Sequence, residues 1–211
     1  KAVARRYAKS IGKKYEELNL IVVHLGGGIS VGAHRKGLVI DVNNALNGEG
    51  PISPERAGTV PSEALATLCF SGKYTLNEVK KMLHGKAGLA AYLGTSDMIT
   101  IEEKAIEGKE PYKTLVAAMD YTVAKEIGAM FVALKGQCDA IILTGGIAYS
   151  DYCVADIKEQ IEYLCKVVVL PGENEMESLA ENAFGALTGE LPILTYTGVS
   201  CAEEIPGMAE A

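Results

Sequence analysis

Asn19-Leu-Ile-Val-Val-His-Leu-Gly-Gly-Gly-Ile-Ser-Val-Gly-Ala-His34 decides the fold: an apolar strand, a cluster of glycines and a second strand, in that order. Leu20 to Val23 is a mostly β-branched run suited to a strand covered on both faces, and Ile29, Val31 and Ala33 alternate with Ser30, Gly32 and His34 at a period of two. A strand after the glycines excludes two common phosphate motifs. The dinucleotide fingerprint and the P-loop both place a helix there, and Gly26-Gly27-Gly28-Ile29-Ser30-Val31 has the spacing of neither. Three glycines leave their N–H groups bare and permit positive φ, so the turn reads either as an ordinary tight hairpin or as a concave nest of donors for an anionic oxygen.

Downstream, Arg35-Lys36-Gly37 supplies a short polar turn, and Leu38, Ile40 and Val42 alternate in a third strand. The stretch from Asn44 to Pro61 is rich in Gly, Pro, Asn and Ser and too long for a mere connector, which marks it as functional or disordered. Helical segments are expected from Ser62 to Gly108, broken near Gly72 and from Gly85 to Gly94. A core helix follows Pro111, with Leu115, Met119, Val123, Ile127, Met130 or Phe131, and Leu134 at helical spacing. Asp139 to Ile147 repeats the opening idea, a buried strand running into Gly145 and Gly146, this time followed by a helix over 151–164 and a strand over 167–170. A last helix carries Met176, Leu179, Ala183, Phe184 and Leu187 on one face and stops at Gly189. Upstream, Val3, Tyr7 and Ile11 recur at helical spacing before Gly12. The order βββ, helices, β, α, β, α predicts an α/β domain built on a mixed sheet with two glycine-bearing strand ends.

The 211 residues are 48% hydrophobic and 22% charged, an ordinary globular profile. A net charge of -7 argues against a duplex nucleic-acid partner, whose binding rests on clustered Lys and Arg. Cysteines at 69, 138, 153, 165 and 201 form no C-x-x-C pair, so neither a disulfide framework nor a zinc site is expected, and a reducing cytoplasm is the expected compartment. No apolar run approaches the roughly 20 residues that span a bilayer. The sequence opens at Lys1 without an initiator Met or the apolar core of a signal peptide, inside an element, which predicts a fragment.

Five motifs in order, His24-Leu25-Gly26-Gly27-Gly28, the Arg56 loop, Gly94-Thr95-Ser96-Asp97-Met98, Leu143-Thr144-Gly145-Gly146-Ile147 and Pro171-Gly172-Glu173-Asn174-Glu175, resemble the acetate kinase family. Within it the chain is most similar to the members that phosphorylate butanoate. The resemblance implies the ribonuclease H-like fold shared with sugar kinases, actin and heat-shock chaperones. It implies a linking helix over 1–18 from a first domain, a nucleotide-binding domain over 19–195 and a tail over 196–211. The family's Asn-Pro-Gly-Ser phosphate loop has no match, so the expectation is nucleotide binding without full activity.

The same resemblance assigns roles. Arg56 and His24 would be catalytic: the arginine would neutralise charge on the transferring phosphoryl group, and the histidine would stabilise it without acting as a base. A carboxylate substrate is already ionised and needs no proton removed. Gly26, Gly27 and Gly28 would cradle the β- and γ-phosphates of ATP or ADP, in a cluster whose middle residue is usually Asn in the family. Gly145, Gly146 and Ile147 would hold the adenosine and α-phosphate. Asp97 reads either as a helix cap or as a nucleotide contact. Glu175 would be tied to Mg²⁺, with Glu173 or Glu177 as the alternative register, and either way a helix-start carboxylate is the plainer reading. Asp41 is a weaker candidate for facing the phosphates through metal-bound water. The implied activity is transfer of the ATP γ-phosphate to butanoate. Alternatives are a kinase for acetate, propanoate or a branched acid, or a non-metabolic actin-like or chaperone-like ATP-binding module. The implied partners are the small acid and ATP, with no nucleic acid or membrane, and a homodimer or higher oligomer.

Overall fold

A computed structural model describes residues 1–172, 175–193 and 195. It divides into two compact units, Lys1–Glu173 and Asn174–Ala211. The first unit is a five-stranded sheet in the order β3-β2-β1-β4-β5. β1 (Asn19–Leu25), β2 (Ile29–Arg35) and β3 (Leu38–Val42) run antiparallel, while β1, β4 (Ala140–Gly145) and β5 (Val167–Pro171) run parallel. Lys36 and Gly37 join β2 to β3 with φ of 49° and 88°, the left-handed pair that matches the twist of a two-residue hairpin.

Alternation places the two faces of β1. Ile21, Val23 and Leu25 turn to one side, where with Val31, Ala33, Ile141 and Leu143 they meet α6 (Tyr112–Ala133), α7 (Asp151–Ile161) and Ile101 of α5 (Met98–Ile106). Leu20, Ala140 and Ile142 turn to the other, under Ala4, Tyr7 and Ala8 of α1 (Ala2–Ser10) and the short turn carrying Tyr15. Each fully buried large aliphatic side chain contributes about 1.5–3 kcal/mol. The segment expected to be a linking helix therefore packs on the sheet. Its buried stripe is Ala4, Tyr7 and Ala8, whose small residues allow close approach, and Ile11 lies beyond the helix, 41% exposed.

Three further expectations change. β3 is an edge strand, so Leu38 and Val42 remain more than half exposed. The break expected from Gly85 to Gly94 contains a short helix, α4 (Leu89–Leu93), which follows α2 (Ser62–Cys69) and α3 (Leu76–Leu83). In α6 the buried stripe runs through Val116 and Asp120 as well as Met119, Val123 and Ile127. Cys138 and Cys165, which begin the approaches to β4 and β5, hold their thiols 3.0 Å apart. In the second unit α8 (Glu175–Thr188) forms as expected, with Met176, Leu179, Phe184 and Leu187 exposed. Among the described residues no helix is long and apolar enough to cross a membrane.

Candidate nucleotide and phosphoryl site

The two glycine turns meet at the carboxyl ends of β1 and β4, which pair in parallel with His24 opposite Thr144. Ligands of open α/β sheets bind at such strand ends. Gly145 takes φ +95°, and a Cβ there would stand 2.4 Å from the Leu25 carbonyl oxygen. It also exchanges backbone hydrogen bonds with Gly172 at 3.3 and 3.0 Å, which draws the end of β5 to the same point. Gly146 and Ile147 open a short turn, and Ser150 then caps α7 by accepting from the Cys153 N–H at 3.0 Å.

Gly26, Gly27 and Gly28 do not adopt positive φ, contrary to the first reason given for them. Side chains press on the first two of them. A Cβ on Gly26 would lie 3.1 Å from His24 Nε2, one on Gly27 3.3 Å from Glu55 Oε2, and one on Gly28 3.7 Å from Arg56 Cγ.

The loop between β3 and α2 is ordered by buried polar groups. Asn43 accepts from the Val31 N–H at 2.7 Å and donates to the carbonyls of Ile29 and Glu49. Ser53, fully buried, donates to the Gly27 carbonyl at 2.8 Å and accepts from the Arg56 N–H. The Glu55 N–H donates to the same Gly27 carbonyl at 3.0 Å. The loop is thereby stapled to the glycine turn and delivers Arg56 beside Gly28. Arg56 Nη1 donates to the Glu55 carbonyl and lies 3.5 Å from Glu55 Oε2, while its Nε is buried without a hydrogen-bond partner. An unpaired buried donor on a cation costs free energy until an acceptor arrives.

The glycine turn separates two clefts. One, of about 450 Å³, is lined by Gly26, Gly27, Ser96, Asp97, Gly146 and Ile147, with Glu102, Tyr149 and Ser150 beside them. The other, of about 630 Å³, is lined by His24, Gly28, Ser30, Asn43 and Arg56. Both volumes suit small-molecule sites. The structure thus brings His24, Arg56, Gly26, Gly27, Gly28, Asp97, Gly146 and Ile147 to one end of the sheet, with Gly145 buried behind them. Asp97 is indeed the cap of α5: its carboxylate accepts from the Ile99 N–H at 3.2 Å and from the Thr100 hydroxyl at 2.6 Å, which holds its pKa below the usual carboxylate value. It lines the first cleft at the same time. Asp41 is exposed on β3 and lines neither cleft.

Glu175 is the first residue of α8, in the second unit; its side chain and all of Glu173 lie outside the described residues. Among the described residues no group of three or more His, Cys, Asp or Glu is placed to hold a metal ion. A magnesium ion that enters with a nucleotide needs only one or two protein carboxylates besides the phosphates. Glu55, beside the glycine turn, already spends its carboxylate on the Ser96 hydroxyl and on Arg56.

Sequence reasoning passed over Glu55, Ser53, Asn43 and Ser96. The available signal was a carboxylate directly before the singled-out arginine. It also passed over Asp120, fully buried on α6, whose carboxyl pKa is raised to about 8 by burial and then by Asp156. Neither Asp120 oxygen has a hydrogen-bond partner.

The sequence profile of the acetokinase family matches residues 1–184. The chain belongs to the acetokinase family. It is 72% identical over 196 residues to a protein of Phocaeicola vulgatus named probable butyrate kinase, covering 93% of this chain and 55% of that protein. It is 55% identical over 196 residues to a Bacteroides thetaiotaomicron protein of the same name, covering 93% of this chain and 56% of that protein. The chain therefore spans about half the length of these relatives. Among solved structures it is similar to an acetate kinase from Porphyromonas gingivalis, with TM-score 0.76 and 22% identity over 86% of this chain and 52% of that one. A propionate kinase from Francisella tularensis gives TM-score 0.74 and 22% identity over 84% and 51%. These two similarities bear out the mixed α/β fold expected from the sequence.

Proposed function

We propose that this acetokinase-family chain is the nucleotide-holding part of a short-chain fatty acid kinase that transfers the γ-phosphate of ATP to butanoate, giving butanoyl phosphate and ADP. The observation that carries the reading is the buried, unpartnered Arg56 Nε beside Gly28, in the cleft that also holds His24. A guanidinium kept short of one acceptor, next to a turn pressed by His24 and Glu55, is built for an anion. The choice of butanoate rests on the names of the two relatives.

In this reading adenosine lies in the first cleft against Gly146 and Ile147, and the phosphates cross the glycine turn into the second. Gly26, Gly27 and Gly28 approach the phosphates through backbone where side chains would obstruct. The butanoate carboxylate, already ionised, attacks the γ-phosphorus in line while the bond to the bridging oxygen of ADP breaks; no base is needed. Arg56 takes the developing charge on the equatorial oxygens, and His24 donates to one of them. A magnesium ion bound with the nucleotide would supply neutralisation of phosphate charge. Positioning and electrostatics then carry the rate.

The test is acyl hydroxamate trapping with hydroxylamine in the intact protein. ATP with butanoate should give product, and Arg56→Ala should lower the rate by about three orders of magnitude. A rate within a few fold of wild type would remove Arg56 from this role, and a stronger response to acetate or propanoate would change the assigned acid.

A further inference from the structure

Glu55 occupies the ridge between the two clefts. Its main chain is fixed on both sides: the N–H donates to the Gly27 carbonyl at 3.0 Å, and the carbonyl accepts from the Gly85 N–H at 2.9 Å and from Arg56 Nη1 at 3.2 Å. Its carboxylate has a partner in each wall. Oε1 accepts from the Ser96 hydroxyl at 3.2 Å, and Ser96 lines the first cleft beside Asp97. Oε2 lies 3.5 Å from Arg56 Nη1, and Arg56 lines the second. The same Oε2 lies 3.3 Å from where a Cβ on Gly27 would stand.

We infer that Glu55 is a positioning residue that couples the two clefts, orienting Arg56 toward Gly28 and Ser96 toward the nucleotide from a single carboxylate. The inference rests on the nucleotide reading of the site. Its physical consequence is specific. Arg56 spends part of its positive charge on this carboxylate before the ligand arrives. Removing the carboxylate's charge leaves that part of the guanidinium's charge to the phosphate and at the same time frees the guanidinium from its bearing. Ground-state binding should hold or tighten while the chemical step slows. A residue that only supports the loop would instead loosen binding and lower stability together.

Calorimetric titration with Mg·ATP of wild type, Glu55→Gln, Arg56→Ala and the double variant provides the first readout. The amide of Glu55→Gln keeps an acceptor for Ser96 and loses the charge. The expected result is a tightening of about threefold or more with Arg56 present and no change in the Arg56→Ala background. Steady-state kinetics of the intact protein provide the second: Glu55→Gln lowers kcat by about tenfold without raising KM for ATP, and Glu55→Asp restores part of kcat. Equal effects in both Arg56 backgrounds, an unchanged kcat, or a raised KM with a lowered melting temperature would overturn the inference. Absence of nucleotide binding by the wild type would instead overturn the site reading on which it rests.

Discussion

The turn after β1 and the turn after β4 both set glycines at the carboxyl end of a strand in the same parallel pair, and they need glycine for different reasons. At Gly145 the need is in the backbone: φ is +95° and a Cβ would press on the main chain of Leu25 at 2.4 Å. At Gly26, Gly27 and Gly28 the backbone is ordinary, and crowding comes only from His24 on Gly26 at 3.1 Å and Glu55 on Gly27 at 3.3 Å. One turn is therefore small so that the sheet can close. The other is small so that functional side chains can gather around it. A glycine cluster in a sequence does not distinguish these cases, because Glu55 and Arg56 arrive from 28 residues away in the loop that follows β3.

The comparison can be broken most sharply at Gly145. Gly145→Ala meets both a left-handed φ and an immovable carbonyl, so it should cost about 4 kcal/mol or more in urea denaturation. A loss under about 1 kcal/mol would show that the strand end can move and that the distinction is false. Gly27→Ala is the opposite case. The atom it meets belongs to a side chain that is 41% exposed and can swing away, so stability should stay within about 1 kcal/mol while nucleotide affinity falls by about tenfold because the added methyl obstructs the phosphates' approach to the backbone.

The next effect is a pH dependence that separates sheet stability from the site. Asp120 has its folded pKa raised from 3.8 to about 8, chiefly by burial, so the folded state keeps a proton that the unfolded chain releases, and stability falls as pH rises across that interval. His34, which shares a hydrogen bond with the Tyr15 hydroxyl at 2.9 Å, has its pKa lowered from 6.5 to about 4, chiefly by burial. Its contribution has the other sign and is lost as pH falls from 6.5 toward 4. The two slopes oppose one another below pH 6.5 and only that of Asp120 remains above it. Melting temperature should therefore decline from about pH 6.5 to 8, by the equivalent of about 1 kcal/mol, and Asp120→Asn should flatten the decline. A decline of the same size in Asp120→Asn would assign it elsewhere. The smallest effect belongs to Gly28→Ala, whose added methyl meets Arg56 Cγ at an ordinary 3.7 Å and should leave stability within about 0.5 kcal/mol.

Much of this arrangement is legible in the sequence because it is local. The alternation of β1 and β2, the two-residue Lys36-Gly37 turn and the glycines after each strand are patterns within a few residues, and the five ordered motifs carry the family. What escapes depends on contacts between distant positions. Ser53 reaches the Gly27 carbonyl across 26 residues and Ser96 reaches Glu55 across 41, so neither bond leaves a periodic trace. The alternation of Leu38, Ile40 and Val42 does not reveal that their strand lies at the sheet's edge. Asp120 interrupts the apolar stripe of α6 and reads as a surface position until α7 is packed over it.

The central claim is that the two glycine turns flank one nucleotide whose phosphates cross from the first cleft to the second. The most direct measurement is an amide NMR titration of the protein with the magnesium complex of an ATP analogue whose γ-phosphate cannot be transferred. The account predicts that the resonances of Gly26, Gly27 and Gly28 shift together with those of Gly145, Gly146 and Ile147 along one saturation curve. Saturable shifts at Gly145 to Ile147 with none at Gly26 to Gly28 would contradict it.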